Sequence, residues 1–327
     1  RPGMDGERQP PPVLLAVSKA VEPDQGTERR LEEKVLAGVS AITTLFTTFA
    51  YAISSYALNP TFFDAIINKN DLSMVPFCLP IACGVIALSL IHELAHYFVA
   101  KLYNTQIGLP VPLPSLQFGT WNCITPLRSF PENRKSLLDL ALSGPLVTMI
   151  ISLFLLAGGL RLTLGAASAE IIASFPTVPV ALFKSSFLVG TLTSFLAPKL
   201  MTLPLSQPVG IHPVFFIGLA GIFSSAVNLL PIGRLDGGRA FMAAFGRRAA
   251  WLMSQFTLFF LAISALSGSS TLSIFWGLLV TIFQRNADIP VRDDITEIDD
   301  TRFGVTVLAF FLCMTVLLPF PGGPGAL

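Results

Sequence analysis

The stretch His92-Glu93-Leu94-Ala95-His96 decides how this chain is read. The residues before it, Leu79 to Ile91, are apolar or small at every position except Ser89, and Tyr97 to Ala100 continue the apolar run. Two histidines four apart on a helix lie on one face, one turn above the other. That spacing lets both imidazoles bind one zinc ion, with Glu93 placed to take a proton from a metal-bound water. Short motifs of this kind also arise by chance, and the setting decides against chance here. An ionisable side chain inside a membrane helix costs roughly 2.5 kcal/mol or more, so three within five residues imply a use. The chain has only three histidines, and two of them are these.

Working outward, the 327 residues are 52% hydrophobic and 13% charged. A soluble domain carries about 25% charged residues. The expected fold class is therefore an all-α polytopic membrane protein. A net charge of +1 gives no argument for a nucleic-acid or acidic partner, so no nucleic acid is expected. Cys78, Cys83, Cys123 and Cys313 form no close CxxC pair; Cys78 and Cys83, in or near a membrane helix, read as packing residues, and no disulfide framework is expected. The chain begins at Arg1, so the expectation is a processed or partial form with any targeting segment out of view.

Three regions are expected. Residues 1–34, rich in proline and charge, read as a flexible polar arm. Residues 35–320 read as the membrane domain, and residues 321–327 as a Pro/Gly tail. Within the domain about seven transmembrane helices are expected: Val35–Leu58, Cys78–Lys101, Leu137–Leu160, Ile211–Leu230, a hairpin of Ala249–Leu266 and Thr271–Phe283 around Gly268, and Gly304–Phe320. Asn59–Met74 reads as a polar loop and Ser185–Ala197 as an interfacial segment rather than a span. Gly108–Pro126 has too many prolines for a helix and too many apolar residues for a solvent loop. It reads as a re-entrant or interfacial β-like hairpin near the active site, because irregular backbone at membrane depth must be buried in protein or line a cavity. The other reading is an interfacial loop anchored by Trp121.

Charge sets the orientation. With the N-terminal arm on the cytoplasm-equivalent (cis) side, seven spans place fourteen Lys/Arg on that side against four on the other, counted from Arg29 onward. His92 precedes Lys101 by nine residues, so the site lies about 13 Å below the cis surface.

Catalytic zinc takes three protein ligands and keeps one place for water. The third candidate is Asp236, in Asn228-Leu-Leu-Pro-Ile-Gly-Arg-Leu-Asp-Gly-Gly-Arg239. Taken alone, Asp236 reads equally as a helix cap. Beside a two-histidine half-site the ligand reading is favoured, with Gly237 and Gly238 allowing the backbone to turn the carboxylate inward. Asn228 reads either as a substrate-binding residue or as helix packing. Gly119, between two apolar runs, reads as a place where another backbone, that of a substrate, comes close. His212 reads as an interfacial residue on the opposite membrane face. Ser143-Gly144-Pro145 reads as a kink and a close helix contact.

In combination, the His-Glu-Leu-Ala-His helix, Ser143-Gly144-Pro145 and the Asn228 to Asp236-Gly237 segment resemble the site-2 protease family of intramembrane zinc metalloproteases. Gly108-Leu-Pro, Gly119-Thr-Trp-Asn-Cys-Ile-Thr125 and Leu229–Arg239 resemble its plastid branch, the ethylene-dependent gravitropism-deficient and yellow-green proteases. The resemblance covers roughly residues 35–320. It implies hydrolysis of a peptide bond of a transmembrane protein substrate within the lipid bilayer. It also implies a chloroplast membrane, the thylakoid in particular, with a stromal-facing site. Some members of that branch have lost the motif and are inactive, whereas this chain keeps His92, Glu93, His96 and Asp236. It departs at Trp121-Asn122-Cys123, where relatives usually carry small or aromatic residues without the cysteine. Two other classes stand beside this reading: a membrane zinc hydrolase of a non-peptide substrate, and a non-enzymatic metal-binding scaffold or transporter. The last needs acidic or histidine residues along a path across several spans, and these are scarce outside the motif. No feature of the sequence sets an oligomeric state.

Overall fold

The computed structural model describes residues 31–166, 168–267, 271–284 and 288–323. The polar arm up to residue 30, the turn at Gly268 and the last residues of the Pro/Gly tail lie outside these. The described residues form twelve α-helices and two small antiparallel sheets. The order is α1 (Leu31–Ser54), α2 (Pro60–Phe63), α3 (Leu79–Leu102), β1 (Val111–Ser115), β2 (Gly119–Ile124), α4 (Arg134–Leu164) and α5 (Ala169–Ala173). There follow β3 (Thr177–Pro179), α6 (Phe187–Leu196), α7 (Pro198–Met201), β4 (Pro208–Gly210), α8 (Pro213–Asn228), α9 (Asp236–Phe245), α10 (Arg247–Leu266), α11 (Thr271–Phe283) and α12 (Asp300–Leu317).

Five helices, α1, α3, α4, α10 and α12, are long and apolar enough to cross a membrane. Helices α6, α8 and most of α11 are apolar but shorter. The long helices turn large side chains outward: Phe46, Phe154 and Leu266 are each more than two-thirds exposed. Such faces suit a hydrocarbon solvent, in which apolar exposure carries no cost.

Most helix bounds shift by a few residues from the expected spans, and two regions differ in kind. Helix α1 starts at Leu31, so Leu31–Lys34 belong to the helix and not to the polar arm. Glu32 and Glu33 in its first turn favour the positive end of the helix dipole, and Glu33 pairs with Arg128 at the base of the β1–β2 hairpin. Asn59–Met74 is not a plain loop. It holds α2, a π-helical turn at Asp64–Asn68 and the start of a 3-10 turn at Leu72–Cys78, with Asn59 and Asp71 capping the first and last.

The centre is α8, which is buried at nearly every position. It packs along α4, and the small residues between them set the spacing. A Cβ on Gly218 would stand 2.7 Å from the Leu156 amide nitrogen and the Ser152 carbonyl oxygen, so only glycine admits that approach. Helix α3 packs on both α4 and α8, so the three helices meet one another. Helix α4 starts sharply: Asn133 Oδ1 accepts from the Ser136 amide while Ser136 Oγ accepts from the Asn133 amide.

Strands β1 and β2 form an antiparallel hairpin with a register shift between Pro112 and Pro114. Neither strand edge is left bare. On one side Thr47 Oγ1 donates to the Gly119 carbonyl (2.7 Å) and Ser40 to the Pro112 carbonyl, both from α1. On the other, Ser224 Oγ donates to the Thr120 carbonyl (2.7 Å) and Asn228 Nδ2 to the Trp121 carbonyl (2.8 Å), both from α8. Phe118 stacks on Phe223, and Trp121 meets Trp276 of α11 at 5.0 Å between ring centres. The hairpin is thus clamped between α1 and α8, with its β2 strand beside α3.

Candidate metal centre

Helix α3 is uninterrupted through the motif, so His92 and His96 stand one turn apart on its buried face. Their Nε2 atoms are 3.1 Å apart. Asp236 Oδ2 lies 3.4 Å from each. These three residues are the one His/Cys/Asp/Glu group among the described residues whose donor atoms converge on a common point, and all three are buried. Tetrahedral donors held about 2.0–2.1 Å from a zinc ion are about 3.4 Å from one another. The triangle of 3.1, 3.4 and 3.4 Å therefore matches one face of such a site.

The far ring nitrogens are held as metal-binding histidines require. His96 Nδ1 donates to the Leu140 carbonyl at 2.8 Å, with Ser143 Oγ at 3.2 Å. His92 Nδ1 faces Thr148 Oγ1 at 3.3 Å and the Asn122 amide at 3.4 Å. Thr148 in turn lies 2.7 Å from Ser225 Oγ and donates to the Gly144 carbonyl at 2.9 Å. A proton on each Nδ1, given to the Leu140 carbonyl by His96 and to Thr148 Oγ1 by His92, would leave each Nε2 lone pair free for the common point. Asn122 reaches His92 from a left-handed backbone (φ 64°), which asparagine adopts more readily than most residues. Gly144 makes room for both rings, since a Cβ there would press on His96 Nε2 and stand 2.8 Å from His92 Nε2.

Asp236 is the first residue of α9. Leu235 occupies the cap position and no side chain caps that end. The carboxylate therefore turns to the histidines and is not the cap that the sequence allowed. Gly237 and Gly238 serve differently from the expectation. Both are helical, and a Cβ on either would strike the main chain, the Leu229 carbonyl for Gly237 and the Gly233 carbonyl for Gly238. They let the helix start pack on the preceding turn, whose reversal comes from Gly233 at φ +46°.

Glu93 follows His92 and points about 100° away around the helix. Its Oε2 accepts from Thr125 Oγ1 at 2.6 Å, whereas its buried Oε1 makes no hydrogen bond to any described group. The Thr125 carbonyl accepts from Arg239 Nη2 at 3.0 Å. Arg239 Nε donates to Asp288 Oδ2 at 2.5 Å, and Arg239 Nη1 lies 4.0 Å from Asp236 Oδ1. The chain after Asp288 is tied to the residues just before α4, the Arg292 and Asp293 amides donating to the Pro131 and Glu132 carbonyls (both 2.9 Å). The Thr296 hydroxyl and the Thr296 and Ile295 amides donate to Asp293, which holds that carboxyl below the usual carboxylate range.

The structure thus brings His92, Glu93, His96 and Asp236 together. Asn228, at the end of α8, spends its amide on the Trp121 and Ser224 carbonyls. Gly119, at φ +82°, approaches another backbone, but that backbone is the chain's own: its Cβ would stand 2.9 Å from Thr48 Cα. His212 caps α8, its Nδ1 accepting from the Val214 amide. Thr125, Thr148, Ser225 and Arg239 were given no role from sequence, and Asn122 was noted only as part of the departing Trp121-Asn122-Cys123. Arg239 had a visible signal, a charge within an apolar, glycine-rich segment; the hydroxyls had none.

Comparison with known proteins adds an independent line. Residues 125–266 match the model of Peptidase family M50, a range that contains Asp236 and begins after the His92–His96 helix. The chain is 32% identical over 249 residues to the probable zinc metalloprotease EGY1, chloroplastic, of Oryza sativa subsp. japonica, covering 76% of this chain and 42% of that protein. It is 27% identical over 315 residues to the probable zinc metalloprotease EGY2, chloroplastic, of Arabidopsis thaliana, covering 96% and 53%. With the probable zinc metallopeptidase EGY3, chloroplastic, of the same plant it shares 31% over 297 residues, covering 87% and 49%. The chain spans about half the length of the curated relatives it matches. No solved structure matches it.

Proposed function

The chain carries a Peptidase family M50 domain, and from that premise we propose that it is an intramembrane zinc metalloprotease acting on transmembrane proteins. The observation that carries the reading is the meeting of His92, His96 and Asp236 within donor distance of one point, with a base candidate alongside. Zinc held by those three side chains would polarise a water and the scissile carbonyl and bring that water's pKa down towards neutrality. Glu93 Oε1, buried and without a partner, receives the proton of the attacking water and returns it to the departing amine. Thr125 keeps Oε2 occupied, so the two carboxylate oxygens are not interchangeable.

In this reading the hairpin lies along the substrate's path, a role supported by Asn122 of β2, which faces His92. Asn228 acts on substrate through the hairpin, by fixing the Trp121 carbonyl, and Gly119 by allowing the hairpin to seat on α1. A substrate helix must unwind there, because its carbonyls are otherwise spent on its own hydrogen bonds. A strand-like pairing with this hairpin requires one of its four side-chain clamps, from Ser40, Thr47, Ser224 or Asn228, to yield.

The topology that fits is seven spans, with α8 and the α10–α11 pair joining α1, α3, α4 and α12. Basic residues then gather on the side of the α1 start, and the centre lies in the nearer third of the bilayer. Residues 31–320, from the start of α1, form the protease domain in this reading. The chloroplastic relatives support a plastid membrane as its location, and a thylakoid one with a stromal-facing site is our reading.

Purified protein tested on a tagged single-span reporter, beside Glu93→Gln and with its zinc content measured, examines the whole reading. Cleavage by wild type alone, with about one zinc in each, is expected. Cleavage by neither, or by both, would overturn it.

A further inference from the structure

Arg239 is 6% exposed in an apolar chain, and it uses its guanidinium in three directions. One nitrogen is fixed on Asp288, one on the Thr125 carbonyl, and one faces the Asp236 oxygen that the histidines do not use. A buried arginine is costly unless its donors are all placed, and its rigid fork places them at set angles. If its work were only to pin the loop after α11, the Asp288 bond would suffice. The bond to the Thr125 carbonyl does something different, because Thr125 is the residue whose hydroxyl holds Glu93 Oε2.

We infer that Arg239 and Thr125 are positioning residues for the base: Arg239, braced by Asp288, fixes the main chain at 125, and the Thr125 hydroxyl holds Glu93 Oε2, so that Oε1 is the oxygen left without a hydrogen bond. The inference rests on the proteolytic reading of the site. Threonine suits the role because its branched Cβ restricts χ1, so a fixed main chain means a fixed hydroxyl. The same guanidinium spans Glu93, through Thr125, and Asp236, so the base and the third ligand share one brace. Asp288 connects that brace to the segment following α11.

Thr125→Val keeps shape and removes the donor, Thr125→Ser keeps the donor, and Arg239→Lys keeps the charge and loses the fork. Each is measured as kcat and KM on the tagged single-span reporter, with zinc content, beside wild type and Glu93→Gln. Thr125→Val should lower kcat by about 10- to 100-fold, as loss of a hydrogen bond to a charged group does. Its KM and zinc content should hold, and Thr125→Ser should recover most of the loss. Adding Arg239→Lys to Thr125→Val should cost little more than Thr125→Val alone, since both act through Glu93. Undiminished kcat in Thr125→Val, loss of zinc, a change confined to KM, or multiplied losses in the double variant would overturn the inference. Should Arg239→Lys fail to fold, the Val/Ser pair at 125 decides alone. Cleavage by Glu93→Gln at the wild-type rate would instead remove the proteolytic reading, whatever Thr125 shows.

Discussion

Gly144 of α4 lies directly against His92 of α3, so close that a Cβ at 144 would stand 2.8 Å from both Cδ2 and Nε2 of that imidazole. The glycine is therefore part of the metal centre without offering it an atom. Gly144→Ala should displace one or both rings and weaken zinc binding at least about tenfold, in line with changes around first ligands. Competition with a chelator checks this; unchanged zinc affinity would mean the helices part at no cost.

Removing a ligand should be harsher. His92→Ala, His96→Ala and Asp236→Ala should each leave the purified protein with well under one zinc per chain, as a three-ligand site predicts. Metal analysis of Asp236→Asn is the sharper form, because asparagine keeps the shape. Full occupancy in that variant would take Asp236 out of the ligand set.

The grouping of His92, Glu93, His96 and Asp236 was legible because expensive charges in an apolar chain stand out, and because residues 92 and 96 share one helix face. The direction of Asp236 was half legible. Cap and ligand need the same residue, and only the tertiary approach of α9 to α3 decides between them. Gly119 shows a different limit. Its small size and position between apolar runs were readable, but the backbone that comes close is the chain's own α1 near Thr48, a contact 71 positions away in sequence. Hydroxyls such as Thr125 and Thr148 carry no pattern at all, since threonine is common in apolar helices and strands and its partner is set by packing. The start of α1 was misplaced because Glu32, Glu33 and Lys34 are charged, and charge does not distinguish an exposed first helical turn from an arm.

Gly119→Val should act through stability as well as through cleavage. A branched side chain at φ +82° costs about 1–2 kcal/mol, and the contact with Thr48 adds to it. Cleavage should fall, zinc should stay, and the thermal midpoint should drop. Wild-type turnover with an unchanged midpoint would show that the hairpin does not need its seat on α1.

Labelling tests the orientation. Single cysteines placed near Arg134 and near Arg247 should react from the same membrane face, and one near Lys69 from the other. The background at the exposed Cys83 must first be removed. Common labelling of positions near 134 and 69 would break the seven-span scheme.

The central claim is that Glu93 carries the proton while His92, His96 and Asp236 hold the metal. The rate at which Glu93→Gln cleaves a single-span reporter, with zinc measured in the same preparation, tests it most directly. Glutamine keeps size and reach and cannot accept the proton, and general acid–base work is worth about 100- to 10,000-fold. The account predicts full zinc, an intact fold and a cleavage rate lower by at least about 100-fold. Cleavage near the wild-type rate, or loss of the zinc together with the activity, would contradict it.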